Sequence, residues 1–172
     1  MFSTPDPTGG DRRVYDVGSP LDPIRGVGLT GTQYVAELYA GSDAASLAPV
    51  SASISRFRST TTAFPGWWSG ATIYDTPNAN IVLPGFLPGD VATLQVRVWD
   101  ISAFSSYEDA VGKGVTGASV AFMYAVPTAG PSQAFYMEGL QAFALVPEPS
   151  VIALSLLGFA GTMLIWRAGR RR

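Results

Sequence analysis

The 172 residues contain no histidine and no cysteine. Those absences remove the usual Ser-His-Asp and Cys-His nucleophiles, the common zinc ligand sets and every disulfide. Carboxylates and aromatic rings remain as chemical groups. Glu37, Asp75, Asp100, Glu108, Asp109 and Glu138 are the acids from which a glycosidase-type pair could be drawn. Asp75 and Asp100 fall at the ends of strand-like runs, where Asp ordinarily caps turns. Glu108 and Asp109 are adjacent, so they face differently in a strand or a helix. Asp75, Asn78 and Asn80 could contribute to a calcium loop, but calcium wants about six to eight oxygens, and an ordinary turn is the simpler reading. No glycine-rich phosphate motif is present. No enzyme activity, metal or cofactor is expected.

Aromatic residues are the better lead. Tyr39 and Trp99 fall on the more polar sides of alternating runs, and an extended Trp67-Trp68 puts one indole on each face. Flat rings flanked by Gln, Arg and Glu can stack on sugars, which makes Tyr39, Trp68 and Trp99 candidate carbohydrate contacts. The opposing consideration is that tryptophan is usually largely buried. Glu37 and Arg97 each have such a ring two residues on. If their strands are neighbours, the charges can pair across the ladder and the rings can form a platform. Several candidate strands lie between them, so non-adjacent strands are an equal expectation.

The elements that must position these groups are short. Strand-like runs occur at Arg13–Val17, Thr32–Ala40, Val50–Arg58, Trp67–Asp75, Asn80–Leu83, Val91–Asp100, Ala118–Val126 and Ala134–Val146, separated by Gly-, Pro-, Asn- and Asp-rich breaks. Val91–Asp100 alternates most clearly, with Leu94, Val96 and Val98 on one side and Thr93, Gln95, Arg97 and Trp99 on the other. The one helical candidate before the tail is Ser105–Val111. This spacing predicts an all-β fold, an antiparallel β-sandwich of jelly-roll or immunoglobulin-like type over residues 11–146, preceded by a flexible segment at 1–10.

The chain then changes character. Pro147-Glu148-Pro149-Ser150 is followed by VIALSLLGFAGTMLIW, 16 residues without charge or proline, and then by Arg167, Arg170, Arg171 and Arg172. As a helix this run is about 24 Å long at about 1.5 Å per residue. That is slightly short for a bilayer, but snorkelling arginines and an interfacial Trp166 extend it. A helix packed on the surface of a soluble domain usually keeps a polar face, which this run lacks. One C-terminal transmembrane helix is therefore expected. The arginines place its C-terminus on the cytoplasmic side and the preceding domain outside. Before Trp166 there are seven basic and thirteen acidic residues, a net charge of −6 that argues against a nucleic-acid partner.

The proline-flanked motif, the apolar span with Gly158 and Gly161, and the arginine cluster together resemble the PEP-CTERM sorting signal of Gram-negative bacteria. The resemblance covers residues 147–172. It implies that exosortase, a membrane-embedded cysteine transpeptidase, recognises Pro147-Glu148-Pro149-Ser150. The protein would then pass from the inner membrane to the cell surface or the exopolysaccharide matrix. The prolines suit such a site because they keep the peptide extended and non-helical, and Ser150 can cap the helix that follows. On this basis the expected role is that of a structural or adhesive surface protein. The alternatives are a carbohydrate-binding module and a surface hydrolase. Residues 1–17 lack the basic and apolar regions of an export signal, so an upstream segment is expected. The runs at Tyr34–Gly41 and Val91–Asp100, with Tyr107-Glu108, loosely resemble the ectodomain of some such proteins, a likeness that implies no activity.

Overall fold

The computed structural model describes residues 10–69, 81–128 and 137–147. They form a mostly β structure whose main element is an antiparallel sheet. In chain order the elements are β1 (Val14–Tyr15), β2 (Tyr34–Gly41), β3 (Ala48–Arg56), β4 (Val91–Asp100), α1 (Tyr107–Ala110), β5 (Thr116–Ala118), β6 (Phe122–Ala125) and β7 (Phe143–Ala144). The main sheet has the order β3-β2-β4-β5, and β6 also pairs with β4.

β4 is the spine of this sheet. It matches the most regular alternating run in the sequence residue for residue. Ala92, Leu94, Val96 and Val98 are buried on one face. With Ala36, Leu38, Ala40, Val50 and Phe122 they form the principal core. β2 lies antiparallel along β4 from Tyr34↔Asp100 to Gly41↔Thr93. The β2–β3 turn is held by Asp43, whose Oδ1 accepts the backbone N–H groups of Ala45 and Ser46, each at 2.9 Å.

Two irregularities shape the sheet. Between Ala36↔Ser55 and Leu38↔Val50, the single residue Glu37 of β2 faces four residues of β3, 51–54. This bulge reverses the facing of β3, so that Val50 joins the principal core while Ile54 packs on the other side. Ser53 fills the gap in the ladder by accepting the Leu38 N–H at 2.7 Å. The second irregularity splits the expected strand Ala118–Val126 into β5 and β6. Ser119 turns inward there. Its Oγ accepts the Val96 N–H at 3.0 Å, and its own N–H donates to the Val96 carbonyl at 2.9 Å.

β1 and β7 form a separate parallel pair, with Val14↔Phe143 and Tyr15↔Ala144. They share the principal core through Val14, Phe143 and Leu145. Val146 links them to the main sheet by a two-way backbone bridge with Thr116. The loop after β1 returns to Gly28, opposite Tyr15. A Cβ on Gly28 would lie 2.5 Å from the Pro65 carbonyl carbon, so only glycine allows these two segments to touch.

Several expectations shift. The run Arg13–Val17 shortens to β1, because Asp16 turns the chain. Residues 81–83 form no strand. Of Trp67–Asp75, Trp68 makes an antiparallel bridge with Phe57, while residues 70–75 lie outside the described set. The run Ala134–Val146 contributes β7, with residues 134–136 outside. The expected helix is present as α1, capped by Ser106, whose Oγ accepts the Asp109 N–H. The apolar run 151–166 lies outside the described residues, and among those described no helix is long and apolar enough to cross a membrane. Residues 1–9 also lie outside.

Candidate functional site

The second face of the sheet carries the polar and aromatic residues. β2 contributes Val35, Glu37 and Tyr39, and β4 contributes Gln95, Arg97 and Trp99. The segment after β4 turns at Asp100, whose Oδ1 accepts the Ser102 N–H at 2.8 Å, and then folds back as α1 over this face. Val35, Ile54, Trp99 and Ala110 form a second, smaller core here, with Ile101, Phe104 and Tyr107 packed against it.

This cover overturns the expectation of an exposed aromatic patch. Trp99 is 0% exposed, Tyr39 1% and Trp68 4%, so none of the three is available as a carbohydrate contact. Trp99 lies beneath the 101–106 turn, with its indole N–H donating to the Phe104 carbonyl at 3.2 Å. Tyr39 lies beneath α1 and meets Tyr107 edge to face, with ring centres 6.3 Å apart. Trp68 packs edge-on against Phe57 at 5.9 Å. The ring platform is also absent, because Tyr39 stands opposite Gln95 and Trp99 stands opposite Val35.

The adjacency of Glu37 and Arg97 does hold. They are direct register partners on neighbouring strands. Yet the ion pair of Arg97 runs to α1 instead, with Nη1 3.0 Å from Glu108 Oε1. The guanidinium lies 3.9 Å from the centre of the Tyr39 ring and 5.0 Å from that of Tyr107. Gln95 steadies it by accepting from Arg97 Nε at 2.8 Å, and donates in turn to the Ser119 carbonyl. The Tyr39 hydroxyl donates to the Glu108 carboxylate, 2.8 Å from one oxygen and 3.0 Å from the other. One arginine, two tyrosines and two glutamates thus meet on the face of the sheet that regular β2–β4 alternation turns toward α1.

Electrostatics distinguish the two acids. Glu37 is 4% exposed. Burial raises its carboxyl above the ordinary value, and the negative charge of Glu108 raises it further; Ser51 and Arg97 oppose both. The Glu108 side chain is 57% exposed. Burial likewise pushes the Tyr39 phenol up, with Glu108 and Glu37 adding to the effect, so it remains a hydrogen-bond donor. The other candidate acids serve elsewhere. Asp100 caps its turn, Asp109 pairs with Lys113 at 2.6 Å, and Glu138 is exposed on a separate segment. Asp75, Asn78 and Asn80 lie outside the described residues. Among the described residues no group of three or more acids is placed to hold a metal.

Of the sorting motif, Pro147 is described and exposed; Glu148, Pro149, Ser150, Arg167, Arg170, Arg171 and Arg172 lie outside. Tyr107 stands out in the sequence only beside Glu108, and Ser51, Ser53 and Ser119 not at all. Alternation alone carries no signal for Ser53 and Ser119, because both act at breaks in the ladder. Comparison with known protein families, curated proteins and solved structures finds no match.

The raised carboxyl of Glu37 makes a pH prediction. A group whose folded value exceeds its unfolded value stabilises the fold fully below the unfolded value of 4.5, and that contribution is lost as pH rises through the folded value. Glu37→Gln keeps the shape and removes the charge. The variant should match the parent in acid and become the more stable of the two toward alkaline pH. Urea titrations across that range measure the difference. A gap that stays constant with pH would mean that Glu37 does not titrate in this window.

Proposed function

We propose that the protein is an exported cell-surface or exopolysaccharide-matrix component, structural or adhesive in role, sorted by exosortase through its C-terminal signal. The observation that carries this reading is the ordered tail: Pro147-Glu148-Pro149-Ser150, an uncharged 16-residue apolar run, and four arginines in the last six residues. The place where the tail leaves the domain supports it. Val146 is still hydrogen-bonded to Thr116, and the next residue, Pro147, is exposed. The motif therefore begins one residue beyond the last bridge of the sheet, with its first proline exposed.

On this reading the main sheet and the β1–β7 pair, packed on one core, are the two layers of a small β-sandwich carried outside the membrane. The tail spans the inner membrane with its arginines in the cytoplasm until processing. The partners are exosortase, the membrane and the surface polysaccharide, with no nucleic acid. A passive role suits the site, because α1 covers the rings that a sugar-binding face would expose and Glu37 is enclosed beneath it. The Glu37–Glu108 cluster then serves as the latch that fastens α1 to the sheet.

The test is processing. In a host that carries exosortase, Glu148→Ala should leave uncleaved, membrane-held protein while the parent is released to the surface. Cleavage of the variant at the parent's rate would favour a plain tail anchor instead.

A further inference from the structure

The loop between Tyr15 and Gly28 presents apolar side chains to solvent. Ile24 is 92% exposed, and Leu21, Val27 and Val17 are exposed as well. The loop is internally bonded. Asp22 Oδ1 accepts the N–H groups of Ile24 and Arg25 at 2.7 and 3.1 Å, and Ser19 Oγ accepts that of Val27 at 2.7 Å. Asp16 donates its N–H to the Val27 carbonyl at 2.9 Å and accepts the Ser19 N–H at 3.0 Å. The Asp16 carboxylate accepts the Val17 N–H at 2.7 Å, and Asp22 Oδ2 lies 3.8 Å from Arg25 Nε, an ion pair whose arginine side chain is still 82% exposed beside Ile24.

The topology says what this loop faces. β1 and β7 are parallel, so both chains leave the pair at the same end. From that end β1 enters the loop, and β7 continues through Val146 to Pro147 and the tail. The apolar run starts at Val151, four residues past Pro147. Four residues reach at most about 14 Å, at about 3.3–3.6 Å each. A tail that enters a bilayer therefore holds this end of the domain against the lipid surface.

We infer that the Val17–Val27 loop is a second membrane contact. Ile24 and Leu21 enter the interface between headgroups and acyl chains, and Arg25 meets lipid phosphate, as apolar side chains with a flanking cation do at bilayer surfaces. This inference rests on the proposed reading of the tail as a membrane span. Its consequence is that the domain does not hang on a free tether. It sits in one orientation, with the β2–β3 turn at Asp43 pointing away, about 26 Å off along the eight residues of β2 at about 3.3 Å each.

The absence of native cysteine allows a clean test with single environment-sensitive probes attached at Ile24→Cys, Ala44→Cys or Leu157→Cys. The full chain is reconstituted into vesicles of phosphatidylethanolamine and phosphatidylglycerol, and probe emission and quenching by headgroup-labelled lipid are read. Quenching with a blue shift at position 24, together with a buried probe at 157 and an aqueous one at 44, is the expected result. A buried probe at 157 with an aqueous one at 24 overturns the loop contact and leaves the tail reading intact. Aqueous probes at both positions overturn both. A blue shift at 24 without lipid quenching means that a second copy covers the loop, which also overturns the lipid assignment.

Discussion

Trp99→Ala is expected to lower the free energy of unfolding by about 3–5 kcal/mol, the usual cost of removing a fully buried aromatic side chain. Trp99 is the largest side chain among those fully buried, and it is the centre of the second core. Its loss opens a cavity between β4 and the 101–106 turn. It also leaves the Phe104 carbonyl without its indole donor. Val35 and Ala110 are too small and too fixed in backbone to collapse into the space. Urea unfolding followed by far-ultraviolet circular dichroism measures the effect, with half-buried Trp67→Ala as the control. A loss for Trp99→Ala no larger than that of the control would mean that the 101–110 cover does not pack on the sheet.

Arg97→Met is expected to cost about 2–4 kcal/mol, less than a fully buried ion pair because the Glu108 side chain is 57% exposed. The ion pair itself is a minor part of this. The larger part is that Glu37 remains enclosed beside the charge of Glu108 with the arginine gone. Methionine keeps an unbranched apolar side chain but removes the guanidinium that lies over Tyr39. Adding Glu37→Gln removes the stranded charge, so the double variant should recover at least half of the loss. The recovery in excess of the gain from Glu37→Gln alone measures the coupling. Strict additivity of the two substitutions would show that Glu37 and Arg97 share a register position without sharing energy.

The alternating apolar side of β4 was legible in the sequence, because a strand with one face toward a core must repeat every two residues. β2, the part of β3 from Val50 onward and the short helix within Ser105–Val111 were legible for similarly local reasons. The uncharged apolar run after Pro147 and its closing arginines are features of the sequence itself, and they lie outside the described residues. The sequence could also name Glu37 and Arg97 as a pair, given adjacent strands. It could not decide that adjacency, because some fifty residues separate β2 from β4 and only the closed sheet brings them together.

The burial of Tyr39 and Trp99 was beyond reach for a related reason. Their strands mark their side as polar, through Glu37, Gln95 and Arg97, and polar sides ordinarily face water. Here the chain after Asp100 folds back and covers that side. The polar groups then satisfy one another under α1 instead of being solvated. The four-for-one bulge opposite Glu37 was equally invisible, since the residues of β3 that form it, Ser51 to Ile54, alternate no differently from an unbroken strand. Short-range periodicity determined which residues form strands. Which face of the sheet stays wet was decided by the folding back of residues 101–110, which covers Trp99 from the adjoining turn and reaches Tyr39 from 69 residues away in the chain.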